Sequence, residues 1–122
     1  MAKRSLEYGS ETHAGAARDV LIFTLTGALV GSPHAYELQD DVRGRIAGGA
    51  RRIVLDLEQV TKIDSAGVGI LASLMWSASQ AGSGLVIAAL PPTVEKMLGI
   101  AMLLDRIDHA PSRAAALAKL AG

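Results

Sequence analysis

The sequence contains no cysteine, so disulfides, thiol nucleophiles and cysteine-ligated zinc are excluded. That absence is compatible with the reducing cytosol. Aromatic residues are almost as scarce, at 3% of the chain: Tyr8, Phe23, Tyr36 and Trp76. A stacking platform for single-stranded nucleic acid needs exposed rings, and the core has to be built from Ala, Val, Ile and Leu instead. An excess of charge of either sign is also missing, because 12 basic residues balance 12 acidic ones. No basic stripe marks a phosphate backbone or a membrane surface, and direct nucleic-acid binding is not expected. The longest apolar stretches are Leu85–Pro92 and Met97–Leu104, the latter interrupted by Gly99. Both fall well short of the roughly 18 residues of a membrane span. Met1–Ala14 carries charges throughout and has no apolar h-region, so it does not read as a signal peptide. A cytoplasmic location is expected.

What is present is a chain of 122 residues, half of them apolar and 20% charged, which fits one packed domain over residues 1–122. Ser5–Thr12 reads as an edge strand. Val20–Thr26 is apolar and β-branched and ends at Gly27, which predicts a strand. Ser32 caps and Pro33 opens a helix to Ala47, with Leu38, Val42 and Ile46 in one stripe. Arg52–Leu57 is a second strand, apolar enough to be buried on both faces. A loop then leads to a helix over Ser65–Ala81, stopped by Gly82. Leu85–Leu90 is a third strand, broken by Pro91-Pro92, and a short helix covers Thr93–Leu98. Ile107–His109 is a last short strand. Ser112 caps a final helix through Leu120, with Ala116, Leu117 and Leu120 as its apolar stripe. Alternating strands and helices predict an α/β fold: a mixed, mainly parallel sheet of four to five strands covered by four to five helices.

Chemistry concentrates in Val60–Leu71, which joins the central strand to the long helix. Asp64 and Ser65 stand at a helix start, where backbone N–H groups lack helical partners, and both residue types cap well. Ala66, Gly67 and Gly69 follow. Two glycines in a first turn each cost roughly 0.5–1 kcal/mol relative to alanine, which implies a close backbone approach to a strand, a ligand or another protein. The small residues leave the Ser65 hydroxyl uncrowded. Phosphorylation there adds a charge of about −1.5 to −2 at a helix N-terminus, tolerable to the fold and repellent to a partner packed on the glycines. Trp76 shares a face with Val68 and Ala72, and packing against the sheet is the expectation; a partner-facing anchor is the alternative. Ile70 and Leu74 lie on another face and are expected to form an exposed apolar strip. Arg51-Arg52 reads as solvated charge at a strand start.

The segment Leu55-Asp-Leu, a spacer, then Asp64-Ser-Ala-Gly-Val-Gly69 resembles the signature of STAS domains, the sulfate-transporter and anti-sigma-factor-antagonist family. Leu25-Thr-Gly27, the Leu85–Leu90 strand with Pro92-x-Val94, and the alanine-rich last helix extend the resemblance over nearly the whole chain. Among stand-alone chains of this length it is most similar to anti-sigma factor antagonists. That resemblance implies a non-enzymatic regulator. It matches Ser65 to the serine phosphorylated by an anti-sigma factor that is also a kinase, with a serine phosphatase reversing the modification. The expected partner surface is Asp64, Ser65, Ala66, Gly67, Val68, Gly69, Ile70 and Leu74. The chain departs from the family at Ala28 and Val30, where Glu and Asp are common, and at Ala66. Two further readings stand beside this one: a subunit of a scaffold or transporter-associated complex, and a nucleotide or small-anion sensor at Gly67–Gly69.

Other motifs carry less. Gly67–Ala72 fits the spacing of a dinucleotide fingerprint, but seven residues separate Leu57 from Ser65 and no acid ends the Leu85–Leu90 strand. A serine-hydrolase elbow would need glycine where Ile63 stands. His13, His34 and His109 have no metal-ligand spacing, so neither metal nor cofactor is expected.

Overall fold

The computed structural model describes residues 5–14 and 19–121. The first four residues of the charged N-terminal stretch lie outside that range. The elements run β1 (Leu6–Ala14), β2 (Asp19–Leu29), α1 (Pro33–Ala47), β3 (Arg52–Ile63), α2 (Ser65–Ala81), β4 (Gly84–Ala88), α3 (Pro92–Ile100), a 3-10 turn (Leu104–Arg106), β5 (His109–Ala110) and α4 (Arg113–Ala121). The sheet order is β1-β2-β3-β4-β5, with β1 antiparallel to β2 and the remaining neighbours parallel. The mixed, mainly parallel sheet read from the sequence is the observed one.

The near-continuous apolar runs are explained by two layers of cover. Ile53, Leu55 and Leu57 of β3 face the larger core under α1, α2 and α3, together with Phe23, Leu25, Leu71, Leu74 and Leu98. Val54 faces the opposite side with Val20, Ile22, Val86 and Ala116 of α4. Alternate residues of one strand thus enter two different cores. α1 starts where expected: the Ser32 hydroxyl accepts a hydrogen bond from Ala35 N at 3.2 Å, Pro33 follows, and Leu38, Val42 and Ile46 are buried. α4 is tied down by Arg113, which donates to Asp56 at 2.8 Å, Glu11 at 2.9 Å and Thr24 at 2.7 Å. Asp56 is 8% exposed, the one buried charged group among the described residues.

Several boundaries shift. β3 runs to Ile63 rather than Leu57, so the expected loop Glu58–Ile63 is strand. It pairs with the far end of β2 across two register shifts, and only Val60 within it is buried. The irregular register breaks the period-2 pattern, which is why the polar segment did not read as a strand. One residue, Asp64, therefore separates β3 from α2, and the gap held against the dinucleotide fingerprint does not exist; the missing acid after β4 still stands against it. The last strand is His109–Ala110 rather than Ile107–His109. Arg51 and Arg52 are not simply solvated. Arg51 donates to the Ala81 carbonyl at 3.3 Å and Arg52 to the Leu120 carbonyl at 3.0 Å, so each serves the C-terminal end of a helix.

Candidate functional site

The parallel register of β2 and β3 brings the β2–α1 loop beside the start of α2. Asp64 joins the two. Its extended backbone makes it the N-cap, with Oδ1 accepting from Gly67 N at 2.9 Å and Oδ2 accepting from Gly31 N at 3.3 Å. These amide hydrogen bonds, Gly67 first, hold the Asp64 carboxyl below the usual carboxylate range. The side chain is engaged inward and sideways, and it does not orient Ser65.

Gly67 is required by packing. A Cβ there would lie 2.0 Å from the Leu29 carbonyl oxygen and 2.7 Å from Ile63 Cγ1. The close approach implied by the first glycine is therefore made to the ends of β2 and β3. A Cβ on Gly31 would meet Ala66 Cβ at 3.1 Å and the Tyr36 hydroxyl at 3.9 Å, so Ala66 seats against the loop. Gly69 differs: a Cβ there would meet nothing within 4 Å.

Ser65 is the first residue of α2 and is exposed, as are Asp64 and Gly69, with Ala66 half-buried. Gly69, Ala72 and Trp76 follow it along one helical face, within about 60° of each other around the axis. Trp76 is 65% exposed, which overturns the expectation that it packs on the sheet. The reverse correction applies to the expected apolar strip. Ile70 and Leu74 are 1% and 0% exposed, because α2 presents that face to the core. Gly67 and Val68 are buried too. Of the eight residues expected at a partner surface, Asp64, Ser65 and Gly69 are exposed, Ala66 is half-buried and the other four are buried. No charged residue occurs in the 17 residues of α2. The site is thus a neutral, shallow ridge with a hydroxyl at one end and an indole about 16 Å away, at 1.5 Å rise per residue.

Tyr36, 47% exposed, and Gly31 were not expected here. Nothing in their spacing signals it; the adjacency of β2 and β3 puts them beside Ala66. Among the described residues no group of three or more His, Asp or Glu side chains could hold a metal ion.

Residues 12–116 match the STAS domain family. The chain belongs to that family. Within it, BtrV of Bordetella bronchiseptica, described as a candidate anti-sigma factor antagonist, is 33% identical over 99 residues, which cover 81% of this chain and 84% of BtrV. The STAS fold is shared with an anti-sigma factor antagonist from Mycobacterium paratuberculosis, at a TM-score of 0.77 and 18% identity over 95% of this chain and 96% of that one. It is shared as well with the Bacillus cell fate determinant SpoIIAA in its phosphorylated form, at a TM-score of 0.68 and 19% identity over 92% and 99% of the two chains. As in the sequence reading, no helix is long and apolar enough to cross a membrane among the described residues.

Proposed function

We propose that this STAS domain is an anti-sigma factor antagonist switched by phosphorylation of Ser65. Unmodified, it sequesters an anti-sigma factor that is also a serine kinase, which frees a sigma factor in the cytoplasm. Transfer of the γ-phosphoryl group of ATP to Ser65 Oγ by that kinase ends the complex, and a serine phosphatase resets it. The chain contributes a surface and an acceptor hydroxyl, and the partner contributes the catalysis. One observation carries this reading: an exposed serine opens a helix without charged side chains, next to the open space over Gly69.

The chemistry follows from Asp64. Its carboxylate already occupies the Gly67 amide, so a phosphate on Ser65 cannot turn inward to that donor. Repulsion between the two anions directs the dianion outward over Gly69, onto the ridge where a partner would pack. Burying it there would cost several kcal/mol. The core loses nothing, because the Ser65 side chain does not enter it. A small-anion sensor at the same place would need the amide that Asp64 engages, so the structure does not favour that reading.

The test is incubation with the cognate kinase and ATP. One phosphate should appear on Ser65, and none on Ser65→Ala. Ser65→Asp should weaken partner binding by about a hundredfold, while the melting temperature moves by less than about 2 °C. Phosphate on another residue, or normal binding by Ser65→Asp, would overturn the switch.

A further inference from the structure

From Tyr8 onward β1 leaves one edge of the sheet open; the Leu6 carbonyl on that edge is held by the His34 ring of the same chain. β1 pairs with β2 on one side only, over nine residues, without a bulge. Natural edge strands are usually guarded by Lys, Pro or bulges, and this one has none of the three. Residues 9–14 are all exposed. Gly9 sits mid-strand at no bend, and a Cβ there would meet nothing within 4 Å. A glycine in such a place often marks the approach of another backbone.

The direction of the peptide groups can be read from two contacts. Ala28 N donates to the Ser5 carbonyl at 2.7 Å, which puts the odd-numbered residues of β1 in the hydrogen-bonded pairs with β2. The even-numbered peptide groups, including Ser10 and Thr12, therefore face the open edge. The His34 ring nitrogen bonded to the Leu6 carbonyl confirms that sense, because it reaches that oxygen from outside the sheet.

From this geometry we infer that β1 pairs antiparallel with β1 of a second copy, about a two-fold axis at Ser10, joining the two sheets into one of ten strands. A two-fold axis at Ser10 pairs residues 7–13 of the two strands and leaves the Leu6 carbonyl, held by His34 of its own chain, just outside the paired stretch. It also places Glu7 opposite His13 of the other copy, twice, on one face of the sheet. These pairs fall at non-hydrogen-bonded positions, where facing side chains come closest. Neither Glu7 nor His13 has a hydrogen-bond or ion-pair partner among the described residues. An imidazole N–H donates to a carboxylate in either charge state of the ring. The remaining acid on that face, Glu11, is engaged by Arg113 of its own chain and stands opposite the small Gly9. No two like charges face each other directly in this register.

Sedimentation equilibrium from about 10 µM to about 1 mM tests the assignment. The wild type should be a dimer in the upper part of this range. His13→Glu sets carboxylates opposite each other and should raise the dissociation constant by about tenfold or more, since two symmetric pairs are lost. Glu7→Arg combined with His13→Glu exchanges the charges and should restore dimerisation. Circular dichroism melts establish that these exposed substitutions leave the fold intact. On the wild type itself, amide exchange at Ser10 and Thr12 should slow with rising concentration. A monomer throughout, a dimer indifferent to His13→Glu, no recovery in the double variant, or concentration-independent exchange at Ser10 and Thr12 would each overturn it.

Discussion

Gly67 and Gly69 lie two residues apart and serve opposite ends. Gly67→Ala would drive a methyl into the Leu29 carbonyl 2.0 Å away, and should cost roughly 1–3 kcal/mol in urea denaturation through forced backbone movement. Gly69→Ala meets open space and removes a helical glycine, so it should raise stability by roughly 0.5–1 kcal/mol. If the ridge is a docking surface, the same substitution weakens partner binding, a stability gain at the expense of function. Asp64→Ala removes the cap and should cost about 1 kcal/mol at neutral pH. The pH dependence has a definite sign. The Gly67 amide holds the Asp64 carboxyl below its ordinary value in the folded state, so its charge-linked stabilisation is present above that ordinary value and fades as pH falls through the lowered one. Wild type and Asp64→Ala should therefore converge in strong acid, as followed by melting temperature.

At the scale of the element, α2 is amphipathic in an unusual sense: one face is apolar and buried, the other small, neutral and exposed. Its polar contrast is weak, and period alone could not decide which stripe faces the sheet. Ile70 and Leu74 were expected outside and Trp76 inside, and the outcome was inverted because α2 turns its Ile70–Leu74 side into the larger core. α4 depends on one side chain. Arg113→Met would leave Asp56 nearly buried beside its remaining bond from Glu58 N, and should cost roughly 1–3 kcal/mol in urea denaturation, Arg113 itself being partly exposed. Combining Arg113→Met with Asp56→Leu should recover part of that loss, because the orphaned charge goes with it.

For the whole molecule, the sheet separates two cores, and α2 covers the larger one with its inner face while its outer ridge carries the only tryptophan of the chain. That placement supplies a built-in reporter. Trp76, at 65% exposure, should emit at long wavelength in the isolated protein and shift to shorter wavelength when a partner covers it. Trp76→Ala should leave the melting temperature within about 2 °C of wild type, yet weaken partner binding by about tenfold or more, as buried aromatic anchors do at interfaces. Unchanged emission on binding would place the partner elsewhere.

The amino-acid sequence determined the strand–helix alternation, the Asp64–Gly69 helix start and the family, because apolar periodicity, caps and glycines act locally. The polar end of β3 was hidden, since bulged pairing leaves no alternation to read. Only the tertiary structure decided which glycine is occupied, which side of α2 is buried, and that Gly31 and Tyr36 stand beside Ala66. Each of those is a contact between segments distant along the chain, and such contacts exist only once parallel pairing has put β2 against β3.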